Sequence, residues 1–183
     1  SPTYEGIVSQ TGKIAAFCRE RHLTLLVDEA HGALWPYHAA LPSSALYTGA
    51  DLVIQSVHKT GGSLTQTALA LLPKHSRLCP ARFQQALNLM QTTSPSYLLM
   101  ASLEGACHWL ASEPGKARLE QLLNNVCQLR QSLSNSLKRF KLLSPDSQWL
   151  NAIDPTRIYL RHATAFGETW AVRLEAEQQL AYE

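Results

Sequence analysis

The chain has 183 residues, 45% of them hydrophobic and 16% charged, which suits one folded unit with its own core and excludes a disordered polymer. Its 16 basic and 14 acidic side chains leave a formal net charge of +2, too small to point to nucleic acid or an anionic membrane surface. No apolar run approaches the ~20 residues of a membrane span. The four cysteines (Cys18, Cys79, Cys107, Cys127) form no Cys-x-x-Cys pair and the seven histidines are scattered, so neither a disulfide framework nor a metal is expected, and a reducing cytoplasm is the expected compartment.

The chain starts at Ser1-Pro-Thr-Tyr without an initiator methionine and stops within a helical pattern, so it reads as a piece of a longer polypeptide. Apolar residues at Ile7, Ile14, Phe17 and Cys18 predict a helix over 7–22, leading into a strand over 23–27. A loop with Pro36, Pro42 and Gly49 follows, holding a short helix around 43–47. A second strand is read at 52–55 and a third at 67–72. The connection from Lys59 to Thr67 is too short for a crossover helix, so the third strand should run antiparallel to the second. Helices are expected over 82–90 and 97–110. A long one opens at Pro114-Gly115, with apolar residues at Leu119, Leu122, Leu123, Val126, Leu129, Leu133, Leu137 and Phe140. It reads as a helix packed on the sheet or joining two domains rather than a partner-binding element. A strand-like stretch over 149–160 and a helix over 168–180 close the chain. Pro145 and Pro155 bracket this change, so we expect 1–142 to be the C-terminal portion of a larger domain and 143–183 the start of a small α+β domain. The fold class is α/β, a mostly parallel sheet with helices on both faces.

Two of the predicted strands end in reactive residues. The first stops at Val27-Asp28-Glu-Ala30-His31, the second at Gln55-Ser56-Val-His58-Lys59. Ligands of open α/β sheets sit beyond the carboxyl ends of the strands, so adjacent strands would bring Asp28 and Lys59 to one pocket. A strand-end aspartate followed by Ser-x-x-Lys is the layout of a pyridoxal 5'-phosphate enzyme of the aspartate aminotransferase fold. A buried Asp28 would keep the pyridine nitrogen protonated, and Lys59 would hold the cofactor as an imine. Ser56 is placed to reach the phosphate, and Ala30 is small enough to lie against the ring. Alone, such an aspartate is often a turn or cap and such a lysine idle; together, in this order, they are far more specific.

Ser1-Pro-Thr-Tyr-Glu-Gly, Val27-Asp-Glu-Ala-His-Gly-Ala, Gln55-Ser-Val-His-Lys-Thr and Gln91-Thr-Thr-Ser-Pro-Ser-Tyr-Leu-Leu-Met-Ala-Ser-Leu together resemble the Orn/Lys/Arg decarboxylase family of fold-type-I pyridoxal phosphate enzymes. The resemblance implies α-decarboxylation of arginine, lysine or ornithine to an amine of polyamine synthesis. It implies Lys59 as the Schiff-base lysine, Asp28 as the pyridinium partner, Ser56 as a phosphate ligand, and Ala30 and His31 as ring or substrate neighbours. Thr93 resembles a residue that reaches the cofactor of a neighbouring subunit, which implies a homodimer with shared active sites. His58 either delivers a proton to the α-carbon or makes a packing contact. Thr3 and Tyr4 are expected at the pocket mouth. Glu29 and Glu5 are expected to be solvated carboxylates rather than readers of a basic substrate. The family's phosphate loop and ring-stacking residue have no counterpart in this sequence, so this piece alone would be inactive even where its parent is an enzyme.

Three other readings remain at this point. Asp28-Glu-Ala-His31 also spells the box of a DEAH helicase, but no G-x-x-x-x-G-K-[ST] accompanies it and the Ser-x-His-Lys has no place there. An aminotransferase or an amino-acid C–C lyase would use the same aspartate and lysine. A degenerate fragment that only dimerises with a full-length relative is the non-enzymatic reading.

Overall fold

The computed structural model describes residues 1–137, 140–143 and 152–162. Its centre is a three-stranded sheet of order β2-β3-β4, from β2 (Leu26–Asp28), β3 (Leu52–Gln55) and β4 (Leu69–Leu71). β2 and β3 are parallel, with Val27 opposite Val53 and Asp28 opposite Ile54. β4 returns antiparallel, with Leu69 opposite Gln55, as the short connection requires. Parallel pairing puts the carboxyl ends of β2 and β3 on one side, where Asp28 and Ser56 lie.

Apart from α3, a single turn that the sequence reading does not include, the helices follow the pattern of the sequence with shifted ends. They are α1 (Thr11–Glu20), α2 (Ala45–Thr48), α3 (Val57–Thr60), α4 (Pro80–Met90), α5 (Tyr97–Ala111) and α6 (Glu113–Ser136). Ser44 caps α2 by accepting from the Leu46 N–H, and Gly49, at φ 104°, ends it in the left-handed conformation. Ser112 closes α5 and caps α6, and the hairpin it makes is so tight that a Cβ on Gly115 would lie 1.9 Å from the Trp109 carbonyl oxygen. One apolar cluster (Val8, Leu34, Trp35, Leu41, Leu110, Leu119) ties the α5–α6 hairpin to the loop after β2. A second (Val27, Ala45, Ala50, Val53) packs α2 on the sheet. On the other side, Leu26 of β2 is 60% exposed, so that strand is covered on one face only by the described residues.

Three expectations need correction. The first helix does not include Ile7: Ile7–Val8 is a strand, β1, and the helix starts only at Thr11. β1 pairs antiparallel with β6 (Ala152–Ile153), and that pairing overrides the helical spacing. The long helix stops at Ser136. Leu137 is its cap, and Phe140 belongs to β5 (Phe140–Leu142), which pairs antiparallel with β7 (Leu160–His162). The strand-like stretch over 149–160 is broken by a turn at Asp154, where Pro155 cannot donate to a ladder. The helix expected over 168–180 lies outside the described residues.

Candidate active site

The chain leaves β2 through an Asx turn: the Asp28 carboxylate accepts from the Ala30 N–H at 2.9 Å. Asp28 therefore stands at the strand end where the sequence puts it, but exposed rather than buried. Alternation along the strand sends the next side chain the other way, onto the Val27 side. Glu29 is fully buried and accepts three hydrogen bonds, from Ser44 Oγ at 2.6 Å, Gln55 Nε2 at 2.7 Å and the Ala45 N–H at 2.8 Å. Burial pushes its carboxyl above the usual range, against those donors. The expectation of a solvated Glu29 is thus wrong: it is a buried tie between β2, β3 and α2. Glu5 is half-buried and held below the usual carboxylate range by the Thr3 hydroxyl.

β3 runs into α3, a single turn that starts after Ser56 and carries His58 and Lys59. Ser56 occupies the cap position without a capping side-chain bond. Lys59 Nζ lies 3.3 Å from His31 Nε2. His31 Nδ1 lies 3.2 Å from the Arg157 guanidinium, and Tyr4 meets the same imidazole edge-on, with ring centroids 5.6 Å apart. His58 Nδ1 lies 2.8 Å from the Thr67 carbonyl oxygen. A carbonyl only accepts, so Nδ1 carries a proton and, in the neutral ring, Nε2 keeps its lone pair. Burial, then the nearby Lys59 and Arg157 cations, hold His31 below the usual histidine value, with Asp28 acting the other way.

Tyr4, His31, His58, Lys59, Thr65 and Arg157 line a cavity of about 390 Å³, within the size range of small-molecule sites. It gathers four residues singled out from the sequence: Tyr4, His31, His58 and Lys59. Asp28, Ala30 and Ser56 stand at the adjoining strand ends without lining it. Thr93 lies in the exposed connection between α4 and α5 and contributes nothing to it. Thr3 is exposed, its hydroxyl accepting from the Ile7 N–H. Arg157 and Thr65 are absent from the sequence reading. Arg157 arrives from the turn between β6 and β7, far along the chain, and no local spacing announces it.

The family model described as Orn/Lys/Arg decarboxylase, major domain, matches residues 1–176. An arginine decarboxylase of Halalkalibacterium halodurans is 46% identical over 112 residues, which is 61% of this chain and 23% of the relative. That of Bacillus subtilis is 36% identical over 163 residues, 87% of this chain and 33% of the relative. The chain thus spans about a quarter to a third of the length of these curated relatives. Among solved structures, the constitutive lysine decarboxylase of Escherichia coli superposes with a TM-score of 0.64 at 21% identity, covering 86% of this chain and 26% of that one. A NifS-like protein from Rickettsia africae gives 0.65 at 12% identity, covering 94% and 45%. The α/β fold is accordingly the fold-type-I arrangement that these structures share, represented here in part.

Proposed function

The chain belongs to the Orn/Lys/Arg decarboxylase family, and from that premise we propose that its protein removes the α-carboxyl group of arginine, lysine or ornithine with pyridoxal 5'-phosphate as cofactor. The products are CO2 and an amine of polyamine synthesis. The observation that carries this reading is the primary amine of Lys59 at the cavity, 3.3 Å from His31 and beyond the carboxyl end of β3, beside the strand that ends in Asp28.

The donor set suits that cofactor. It offers an amine (Lys59), an imidazole for ring contact (His31), a cation (Arg157) and a hydroxyl (Thr65) around one cavity, with the Ser56 hydroxyl one helical turn before the lysine. Bound there, pyridoxal phosphate supplies an aldehyde that condenses with amines and a ring that takes up the electron pair left by departing CO2. Lys59 Nζ would be the amine that holds it. From the adjoining strand ends, Asp28 would supply the anion for the ring nitrogen and Ser56 Oγ a hydroxyl for the phosphate. His58, its Nδ1–H committed to Thr67, presents Nε2 to hold or move the proton at the α-carbon. Tyr4 limits water at the cavity mouth.

Three coarser expectations belong to the same proposal. Thr93 reaches the neighbouring subunit's site in a homodimer. The protein works in the cytoplasm; no helix among the described residues is long and apolar enough to cross a membrane. The division into 1–142 and 143–183 separates the cofactor-binding part from the start of a smaller domain.

The test is direct. The protein should take up pyridoxal phosphate with absorbance near the visible edge, and borohydride reduction should fix the label on Lys59. It should then release CO2 from at least one of the three basic amino acids. Keto-acid products instead of CO2 would point to an aminotransferase, and no label on Lys59 would end the reading.

A further inference from the structure

Arg157 meets His31 from a turn whose every corner is tied. Asp154, 2% exposed, accepts from Trp35 Nε1 at 2.8 Å through one carboxylate oxygen. Through the other it accepts from the Thr156 N–H at 2.8 Å and the Thr156 hydroxyl at 2.7 Å. Its own N–H donates to the Gly6 carbonyl at 2.8 Å, and the Arg157 N–H donates back to the Asp154 carbonyl at 3.1 Å. Arg130, from α6, donates to the Arg157 carbonyl oxygen. Gly6, at φ 90°, lacks the Cβ that would lie 2.9 Å from both Cβ and Cγ of Arg157. The side chain is thereby directed into the cavity beside His31.

Its chemistry then constrains the imidazole. A guanidinium has N–H donors and no acceptor, and it does not give up its proton in proteins. At 3.2 Å it needs a lone pair on His31 Nδ1. A neutral imidazole with that lone pair carries its proton on Nε2, which faces Lys59 Nζ at 3.3 Å. An ammonium has nothing to accept with; an amine has one lone pair. The reverse arrangement, with the Lys59 ammonium donating to Nε2, sets an Nδ1–H against the guanidinium N–H. The Arg157 contact by itself sets the tautomer, and the Lys59 contact is satisfied with it only when that group is the neutral amine, the form that attacks an aldehyde.

We propose that Arg157 is a positioning residue that fixes His31 as its Nε2–H tautomer, so that His31 presents an N–H to the lone pair of Lys59 and orients that amine for condensation with an aldehyde. The proposal rests on Lys59 being the reactive amine of the reading above. The groups facing His31 are Lys59 of α3, Arg157 of the β6–β7 turn, Asp28 of β2 and the Tyr4 ring, with His58 also lining the cavity. Burial, together with the Arg157 guanidinium against the Asp28 carboxylate, favours the neutral imidazole, the form the Arg157 contact needs.

Long-range 1H–15N spectra of the full chain with 15N-labelled histidine read the tautomer without any cofactor. His31, identified by the signal lost in His31→Gln, should be protonated on Nε2 at neutral pH. Arg157→Leu should abolish that single tautomer, and Arg157→Lys should retain it. His58, pinned by the Thr67 carbonyl, should stay protonated on Nδ1 throughout and so reports that each variant is folded. Trapping of pyridoxal phosphate on Lys59 by borohydride should also slow about fivefold in Arg157→Leu. An Nδ1–H tautomer of His31 in the unaltered chain overturns the proposal, whether or not any variant folds, and so does an unchanged tautomer in Arg157→Leu. Should Lys59 take no label while the tautomer still follows Arg157, the cofactor reading fails and the placement of the His31 proton by Arg157 stands.

Discussion

Glu29 shows how one side chain decides what the neighbouring aspartate can do. Its three hydrogen bonds hold the end of β2 against Gln55 and α2, and this fixes the backbone from which Asp28 turns outward. Removing the carboxylate strands the Ser44 hydroxyl, the Gln55 amide and the Ala45 N–H in a buried place, so Glu29→Ala should cost about 3 kcal/mol in urea denaturation. Because burial raises the carboxyl above its unfolded value, the folded chain binds that proton more tightly than the unfolded chain. The contribution is then fullest below the unfolded value and declines as pH rises through the folded one. The unaltered chain should lose stability across that window, and Glu29→Ala should lack that part of the slope. Much of the site at this scale is legible in the sequence, since Asp28, His31, His58 and Lys59 all belong to short runs at strand ends. Glu29 escaped because two adjacent carboxylates read alike in one dimension. The signal was there in parity: Glu29 is two residues from buried Val27 and so points to the same side.

At the scale of elements, the sequence conveys what local periodicity and turn chemistry determine, and loses what distant pairing determines. β3, α4 and α5 begin or end within a residue or two of their expected positions, because Pro80 and Ser96 mark helix starts and β3 is one apolar run. β1 is misread because its partner, β6, lies more than a hundred residues away. The same pairing brings the Asp154 turn against Gly6 and hence Arg157 to His31, so the missed strand and the missed cavity residue have one cause. Gly6 is the narrowest point of this contact. In Gly6→Ala the new methyl would meet the Arg157 stem at 2.9 Å on a backbone at φ 90°, which an L side chain rarely adopts. The expected outcome is a loss of about 2 kcal/mol in denaturation together with slower trapping of pyridoxal phosphate on Lys59. Unchanged trapping in a destabilised chain would show that the β1–β6 pair supports the fold without steering Arg157.

For the whole molecule, the distribution of apolar surface is the feature that remains to be accounted for. Leu89 and Met90 at the end of α4 are 86% and 87% exposed, and Tyr97 and Leu98 at the start of α5 are 78% and 70% exposed. These four flank the connection that holds Thr93 in sequence, and large apolar side chains exposed to this degree suit a surface that another molecule covers. In the homodimer proposed above a second copy of the chain would cover it, since the resemblance of the Thr93 block implies that this segment serves a neighbour's cofactor. Dimers related by a two-fold axis bury the same patch from both sides, so a charge placed there is felt twice. Sedimentation of the full chain should therefore show a dimer, and Leu89→Asp combined with Leu98→Asp should yield a monomer with its circular dichroism intact. The site itself gives the second readout. If Thr93 acts across the interface, the monomeric variant should bind pyridoxal phosphate several-fold more weakly while Lys59 remains the labelled residue. A monomer that binds as tightly as the dimer would instead confine the whole site to one chain.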